Sequence, residues 1–255
     1  MCGIFGYAAK TTESSVNLPL LTRLAVDTES RGPHSFGFAW IDSRNRLKMF
    51  KSTGRISRNI DCLQMAMDAK LLIGHCRYAT HGEIDNLNAH PHPCDGGWVV
   101  HNGVIRHHDV INDIYGLNPV TDCDSETIGM LIEELDGPLV DRVAQTIEEV
   151  ATRNFAMMGL WKSSPNRMIV SRAGNPLHFA NRASGMYFAS YKHELGKHAR
   201  SVKNGSLKCL YHRNGQLVVQ SQQVIEMKGP KVSTPTRVTQ LGLPNDRFGT
   251  SFGAH

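Results

Sequence analysis

Apolar and polar positions alternate in short stretches over most of this chain, and helical spacing interrupts the alternation only a few times. Cys2 to Ala9 alternates loosely and contains Gly3 and Gly6, which fits a buried first strand. Within Leu18 to Ser30, the apolar residues Leu20, Leu21, Leu24 and Ala25 recur at helical spacing. Pro19 suits an early helix position there, and Arg31-Gly32-Pro33 ends the run. Phe36 to Ile41 and Leu47 to Lys51 predict two strands joined by the polar turn Asp42 to Arg46. Ile60 to Ala69 predicts a short helix. Leu71 to Ala79 and Trp98 to Ile105 predict strands on either side of a loop, Thr80 to Gly97, rich in His, Asn, Pro and Gly. A loop of that length in a compact domain points to function.

Ser125 to Leu135 and Leu139 to Thr152 predict two helices separated by Asp136-Gly137-Pro138. Ser125, or Asp124 before it, fits an N-cap, and Glu126 suits the positive end of the helix dipole. From Asn154 the pattern turns to strands: Phe155 to Trp161, Met168 to Ser171, Leu177 to Ala180 and Met186 to Ser190. A short helix is expected over His193 to Ser201. A closing hairpin, Leu207 to His212 and Gln216 to Val224, turns at Arg213-Asn214-Gly215. After Lys228 the chain loses periodicity and becomes rich in Pro, Gly, Thr and Ser. This divides it into a domain over residues 1–227 and a polar tail over 228–255, disordered or docked on a partner. Strands and helices come in blocks, which predicts an α+β fold with antiparallel sheets.

A length of 255 residues and 40% hydrophobic content allow one large core or two small ones. No run of 18 apolar residues spans a membrane, and no basic-then-apolar start marks a signal peptide, so a cytoplasmic protein is expected. The six cysteines (Cys2, Cys62, Cys76, Cys94, Cys123 and Cys209) have no repeating spacing and read as free thiols. The net charge of +5 is spread without a basic block, so nucleic-acid binding has no support.

Polar residues gather in four segments where a plain core strand would not place them: around Cys2, from Gly74 to Gly82, from His101 to Ile105, and from Asp122 to Glu126. Cys2 is an ordinary strand residue or, once Met1 is removed ahead of this small residue, a nucleophile. Its own α-amine would then be its base. Arg77 lies in a strand-like stretch, where it sits on an exposed face, forms a structural ion pair, or clamps a carboxylate with two hydrogen bonds. Asn102-Gly103 is a tight turn or a pair of oxyanion donors, the side-chain amide and the glycine N–H. Asp124 is a helix cap or the partner of an ammonium group.

Cys2-Gly3-Ile4-Phe5-Gly6, Arg31-Gly32, Arg77-Tyr78-Ala79-Thr80-His81-Gly82, Asn88-Ala89-His90-Pro91, His101-Asn102-Gly103 and Asp124-Ser125-Glu126 occur in that order. The set resembles the glutaminase domain of class II glutamine amidotransferases, most nearly that of the glucosamine-6-phosphate synthases. Arg172 to Leu177 and Phe188-Ala189-Ser190 extend the likeness to about residue 225. The resemblance implies an N-terminal nucleophile hydrolase fold of four layers, αββα, with two antiparallel sheets between helices. It also implies a Cys2 nucleophile with its α-amine as base and an oxyanion hole at Asn102 and Gly103. Arg77 would hold the glutamine carboxylate and Asp124 its ammonium, while Tyr78, Thr80 and His81 line the pocket. Two departures stand out. The family's Arg-Gly-x-Asp loop reads Arg31-Gly32-Pro33-His34, and Tyr78 replaces a Trp.

The implied reaction hydrolyses the glutamine side-chain amide to glutamate and ammonia through a Cys2 thioester. Ammonia passes to a separate synthase subunit or is simply released. No cofactor is implied. Three alternatives are weighed against this. One is a stand-alone hydrolase of γ-glutamyl amides in larger metabolites. Another is a non-catalytic binding subunit, disfavoured because every residue needed for chemistry is in place. The last is a zinc-dependent hydrolase, since His75, Cys76, His81, His90, His92, Cys94 and His101 crowd one region. His81-Gly82-Glu83 with Pro93-Cys94 resembles the zinc deaminase pattern, but position 97 is Gly97 where a second cysteine belongs, so no metal is expected.

Overall fold

The computed structural model describes residues 2–80, 82–150 and 154–225. Seven strands form one antiparallel sheet: β1 (Gly3–Ala9), β2 (Ser35–Asp42), β3 (Leu47–Thr53), β4 (Ala69–Arg77), β9 (His178–Asn181), β10 (Gly185–Ala189) and β11 (Arg200–Ser201). Six form the second: β5 (His92–Cys94), β6 (Gly97–Gly103), β7 (Phe155–Trp161), β8 (Arg167–Ala173), β12 (Ser206–Arg213) and β13 (Gln216–Gln223). The order across the first is β11-β9-β10-β1-β4-β2-β3 and across the second β13-β12-β8-β7-β6-β5. The helices are α1 (Leu18–Glu29), α2 (His108–Tyr115), α3 (Glu126–Glu134) and α4 (Leu139–Val150).

Strand side chains alternate between faces, and that alternation sorts the apolar residues into three layers of core. Ile4 and Ala8 of β1, Leu71 and Ile73 of β4, Val100 of β6 and Met158 of β7 lie buried between the two sheets. Phe5 and Tyr7 of β1 turn the other way, with Phe36, Phe38 and Trp40 of β2, onto Leu21, Leu24 and Ala25 of α1. On the far side of the second sheet, Val99, Phe155, Met157 and Trp161 pack on Ile128, Leu131 and Ile132 of α3 and Val143 and Ile147 of α4. The result is the expected four-layer αββα arrangement.

Several local expectations need correction. The stretch Ile60–Ala66 is a 3-10 helix, because β4 already begins at Ala69 and leaves no room for a longer one. His193–Leu195 is a single 3-10 turn, and the two-residue strand β11 follows where the helix was expected to continue. The loop after Thr80 contains the short strand β5, and helix α2 follows Gly103, where no element was expected. Ser125 stands at the N-cap of α3 without a side-chain capping bond, and Asp124 bonds elsewhere. The closing hairpin forms as expected, with Asn214 and Gly215 at φ 51° and 75°, the left-handed pair that such a turn demands. The proposed tail lies outside the described residues.

Ile73 sits at the centre of the inter-sheet layer and is fully buried. Ile73→Ala should therefore cost about 2–5 kcal/mol, read as a drop in the urea midpoint at unchanged slope. A loss no larger than that of an exposed substitution such as Val120→Ala would contradict this packing.

Candidate active site

The pairing of β1 with β4 sets the site. Gly3 pairs with Cys76 and Ile4 with His75, so Cys2, one residue before Gly3, arrives at the Arg77–Tyr78 end of β4. There the backbone N–H of Tyr78 donates to Cys2 Sγ at 3.4 Å. Alternation places Cys2 on the same face as Ile4, and Arg77 on the same face as Leu71 and Ile73, toward the second sheet. Asn102 shares its face with Val100 and so points back toward the first sheet. The ends of two central strands thus supply a thiol and a guanidinium from one sheet and a carboxamide from the other.

Cys2, Arg77, Tyr78, Thr80, Gly103 and Asp124 line one cavity of about 540 Å³. Asn102, next to Gly103, is 2% exposed, and its Nδ2 has no hydrogen-bond partner among the described residues. An unpaired buried donor costs roughly 1–3 kcal/mol, so its presence beside a cavity favours a ligand acceptor. Its carbonyl accepts from Asn175 Nδ2 at 2.6 Å, which fixes the strand end. Arg77 is buried, and its Nη1 donates to the Glu83 carbonyl at 2.9 Å, which aims the guanidinium. Gly82, at φ +72°, lets the chain turn tightly here: a Cβ on it would lie 3.0 Å from Asp122 Cβ and 3.4 Å from Arg77 Nη2. Asp124 accepts from the Ile105 N–H at 2.6 Å and from Ser125 Oγ at 3.3 Å, which orients its carboxylate at the cavity wall. His81 lies outside the described residues.

Three groups support the site through contacts that the sequence did not foretell, although Arg31 and His34 stand in the Arg31-Gly32-Pro33-His34 stretch named there. Arg31 Nε donates to the Cys2 carbonyl at 2.6 Å, and its guanidinium lies 4.7 Å from the Tyr191 ring centre. His34, where the family pattern has an acid, accepts from the Ala79 N–H through Nδ1 at 3.0 Å and packs its ring against Tyr78 at 4.8 Å. An imidazole nitrogen here accepts a backbone N–H, as an acid's oxygen can. Asn175 anchors Asn102 as described, and only its place in the Arg172 to Leu177 stretch hinted at a role. Val104 and Asp122, at the edges of two segments picked out from the sequence, also line the cavity, as do Arg106 and His108, which no motif marked.

Burial dominates the electrostatics. It pushes the Cys2 thiol up, while the Tyr78 N–H and the Arg77 charge pull it down less strongly. The resting sulfur is therefore a thiol that needs a base at the moment of attack. His101, fully enclosed, is lowered to about 4 by burial, with Asp124 opposing, and its Nδ1 lies 2.8 Å from Ser125 Oγ.

A histidine kept neutral in the folded state and free to charge in the unfolded chain makes stability depend on pH. Above about 6.5 neither state binds this proton. Between about 6.5 and about 4 only the unfolded chain does, so stability falls with falling pH by up to about 1.4 kcal/mol per pH unit. Urea titrations at pH 7.5 and 5.5 should show this loss in the parent chain and a smaller one in His101→Asn. Equal losses in both would contradict the assignment.

No protein-family model matches the chain. It is 33% identical over 184 residues to the glutamine–fructose-6-phosphate aminotransferase of Vibrio cholerae serotype O1, covering 69% of this chain and 29% of that protein. It is 32% identical over 210 residues to the enzyme of the same name from Legionella pneumophila (strain Lens), covering 79% and 34%. The chain thus spans about a third of the length of these relatives. Among solved structures, the glutamine phosphoribosylpyrophosphate amidotransferase of B. subtilis superposes with a TM-score of 0.73 at 19% identity, covering 89% of this chain and 50% of that one. A glutamine aminotransferase class-II domain protein from Silicibacter pomeroyi gives 0.56 at 13%, covering 86% and 98%. With the four-layer fold and these relatives together, the chain belongs to the class II glutamine amidotransferases, within the N-terminal nucleophile hydrolase fold.

Proposed function

We propose that this chain hydrolyses the side-chain amide of glutamine, with Cys2 as nucleophile. The observation that carries the reading is the meeting of Cys2, the buried Arg77 and Gly103 at one cavity, with the unpaired carboxamide of Asn102 on the adjoining residue of the same strand end. After removal of Met1, the Cys2 α-amine takes the thiol proton, and the thiolate attacks the amide carbon. Charge developing on the amide oxygen is met by Asn102 Nδ2 and the Gly103 N–H. The proton held on the amine passes to the departing nitrogen, which leaves as ammonia. Water then attacks the γ-glutamyl thioester, gives its proton to the amine, and releases glutamate with the thiol restored. Arg77 binds the α-carboxylate and Asp124 the α-ammonium, while Tyr78, Thr80 and His81 wall the pocket.

The relatives' names describe transfer from glutamine to fructose 6-phosphate, and the chain spans only about a third of them. A synthase partner is proposed to receive the ammonia, with 1–227 as the glutaminase domain that supplies it. A cytoplasmic setting fits six unpaired cysteines and the lack, among the described residues, of a helix long and apolar enough to cross a membrane. A second reading, hydrolysis of γ-glutamyl amides carrying larger amines, draws support from the cavity. Glutamine's roughly ten non-hydrogen atoms need no more than about 300 Å³, even at the ~30 Å³ each that a water takes up, against the cavity's 540 Å³.

Ammonia release from glutamine and from γ-glutamyl amides distinguishes these readings. Cys2→Ala should abolish release, and Asn102→Ala should lower kcat by about 10²–10³. A cleavable extension ahead of Cys2 should keep the enzyme silent until a protease frees the cysteine amine. Parent-level turnover in Cys2→Ala, or with the extension in place, would overturn the mechanism.

A further inference from the structure

Beneath the same cavity lies a group of side chains that the proposed reaction does not use. His90 and His92 flank Pro91 at the entry to β5, both are buried, and their ring centres are 4.5 Å apart. All four of their ring nitrogens lack a hydrogen-bond partner among the described residues. Each neutral imidazole carries one N–H and one lone pair, so two such rings leave two donors and two acceptors unsatisfied, an expensive arrangement for a native interior. Cys123 comes to them from a distant part of the sequence. It precedes α3, which packs so tightly on β5 that a Cβ at Gly129 would lie 2.0 Å from the Pro93 carbonyl oxygen. One nitrogen from each histidine and Cys123 Sγ lie within 4.8 Å of one another.

We propose that His90, His92 and Cys123 bind a single soft divalent cation, with zinc the best match to the ligand set. Two imidazoles and a thiolate form a three-ligand zinc set that leaves a fourth position open, and they do not suit magnesium or calcium, which take oxygen ligands. His90 and Cys123 both line the cavity, so the open position faces it. The Cys123 thiol must give up its proton to the solvent as the metal–sulfur bond forms. The ammonium of Lys51, bonded to the Ala89 carbonyl at 2.9 Å, stands nearby and opposes a cation; the Cys123 thiolate offsets that charge. The zinc pattern weighed from the sequence lacked a second cysteine close to Cys94. The fold supplies a different cysteine, which no spacing rule would pair with His90 and His92.

The test is titration of the full chain, stripped with a chelator, with cobalt alone and then with zinc. One equivalent of cobalt should bind, with tetrahedral d–d absorption and a thiolate-to-cobalt charge-transfer band, and zinc should displace it. Cys123→Ser should lose the band. It should also weaken zinc by about a hundredfold or more, since even partners outside the ligand shell are worth 10–100-fold. Cys2→Ser should keep both band and affinity, which separates this site from the nucleophile. His92→Gln provides a second ligand variant, and near-ultraviolet circular dichroism checks that each variant is folded. No binding by the parent chain would overturn the proposal and leave water as the partner of these rings. So would a band that survives Cys123→Ser, or one that vanishes with Cys2→Ser.

Discussion

Pairing of the first strand with the middle of its sheet is the constraint on which the rest depends. β1 lies between β10 and β4, hydrogen-bonded on both edges, and a slip of one residue would turn Ile4 and Ala8 away from the inter-sheet layer and expose Phe5 and Tyr7 to it. The burial of those residues therefore fixes where Cys2 ends up. Arg31 completes the restraint from outside the sheet by holding the Cys2 carbonyl, and Gly32 lets that loop lie against the backbone of Arg77, where a Cβ would approach to 2.4 Å. A residue ahead of a first strand would otherwise be among the least ordered of a protein.

The chemistry follows from what the interior does to charge. The cavity wall holds Arg77 and Asp124, each oriented by a backbone group, the Glu83 carbonyl and the Ile105 N–H. Burial raises the Cys2 thiol and lowers His101 beside them, which keeps both of these groups neutral. A site with a cation and an anion each fixed by a backbone bond suits a zwitterionic head group, because each charge on the ligand can meet an opposite charge in a low dielectric. The uncharged sulfur then waits for a base, and an amine on the same residue needs no second element to position it.

Much of this was legible in the sequence. The alternating strands that form the inter-sheet core were readable, since a residue's face follows from counting by twos: Leu71, Ile73 and Arg77 share one, and Val100 and Asn102 another. Six of the residues at the cavity, Cys2, Arg77, Tyr78, Thr80, Gly103 and Asp124, were named as site candidates from the sequence. What escaped was set by tertiary contact. β5 is three residues long, too short for any period to show. Helix α2 buries only Ile111 and Asn112, so its apolar signal is thin. Asp124 looked like a helix cap because an acid beside a helix start usually is one; its bond to Ile105 joins segments far apart in sequence. Arg31, His34 and Cys123 acquire their neighbours in the same way, through strand pairing and helix packing.

The central claim, that the β1–β4 register delivers Cys2 to a cavity able to bind glutamine, is tested most directly by covalent capture. The protein, matured to expose Cys2, would be treated with a glutamine analogue whose side-chain amide is replaced by an electrophilic ketone. The labelled residue would then be located by peptide mass spectrometry. One adduct per chain is expected, on Cys2, slowed by added glutamine and absent in Arg77→Ala at the same analogue concentration. Labelling spread over Cys62 and the other thiols, or an adduct on Cys2 that glutamine does not slow, would contradict it.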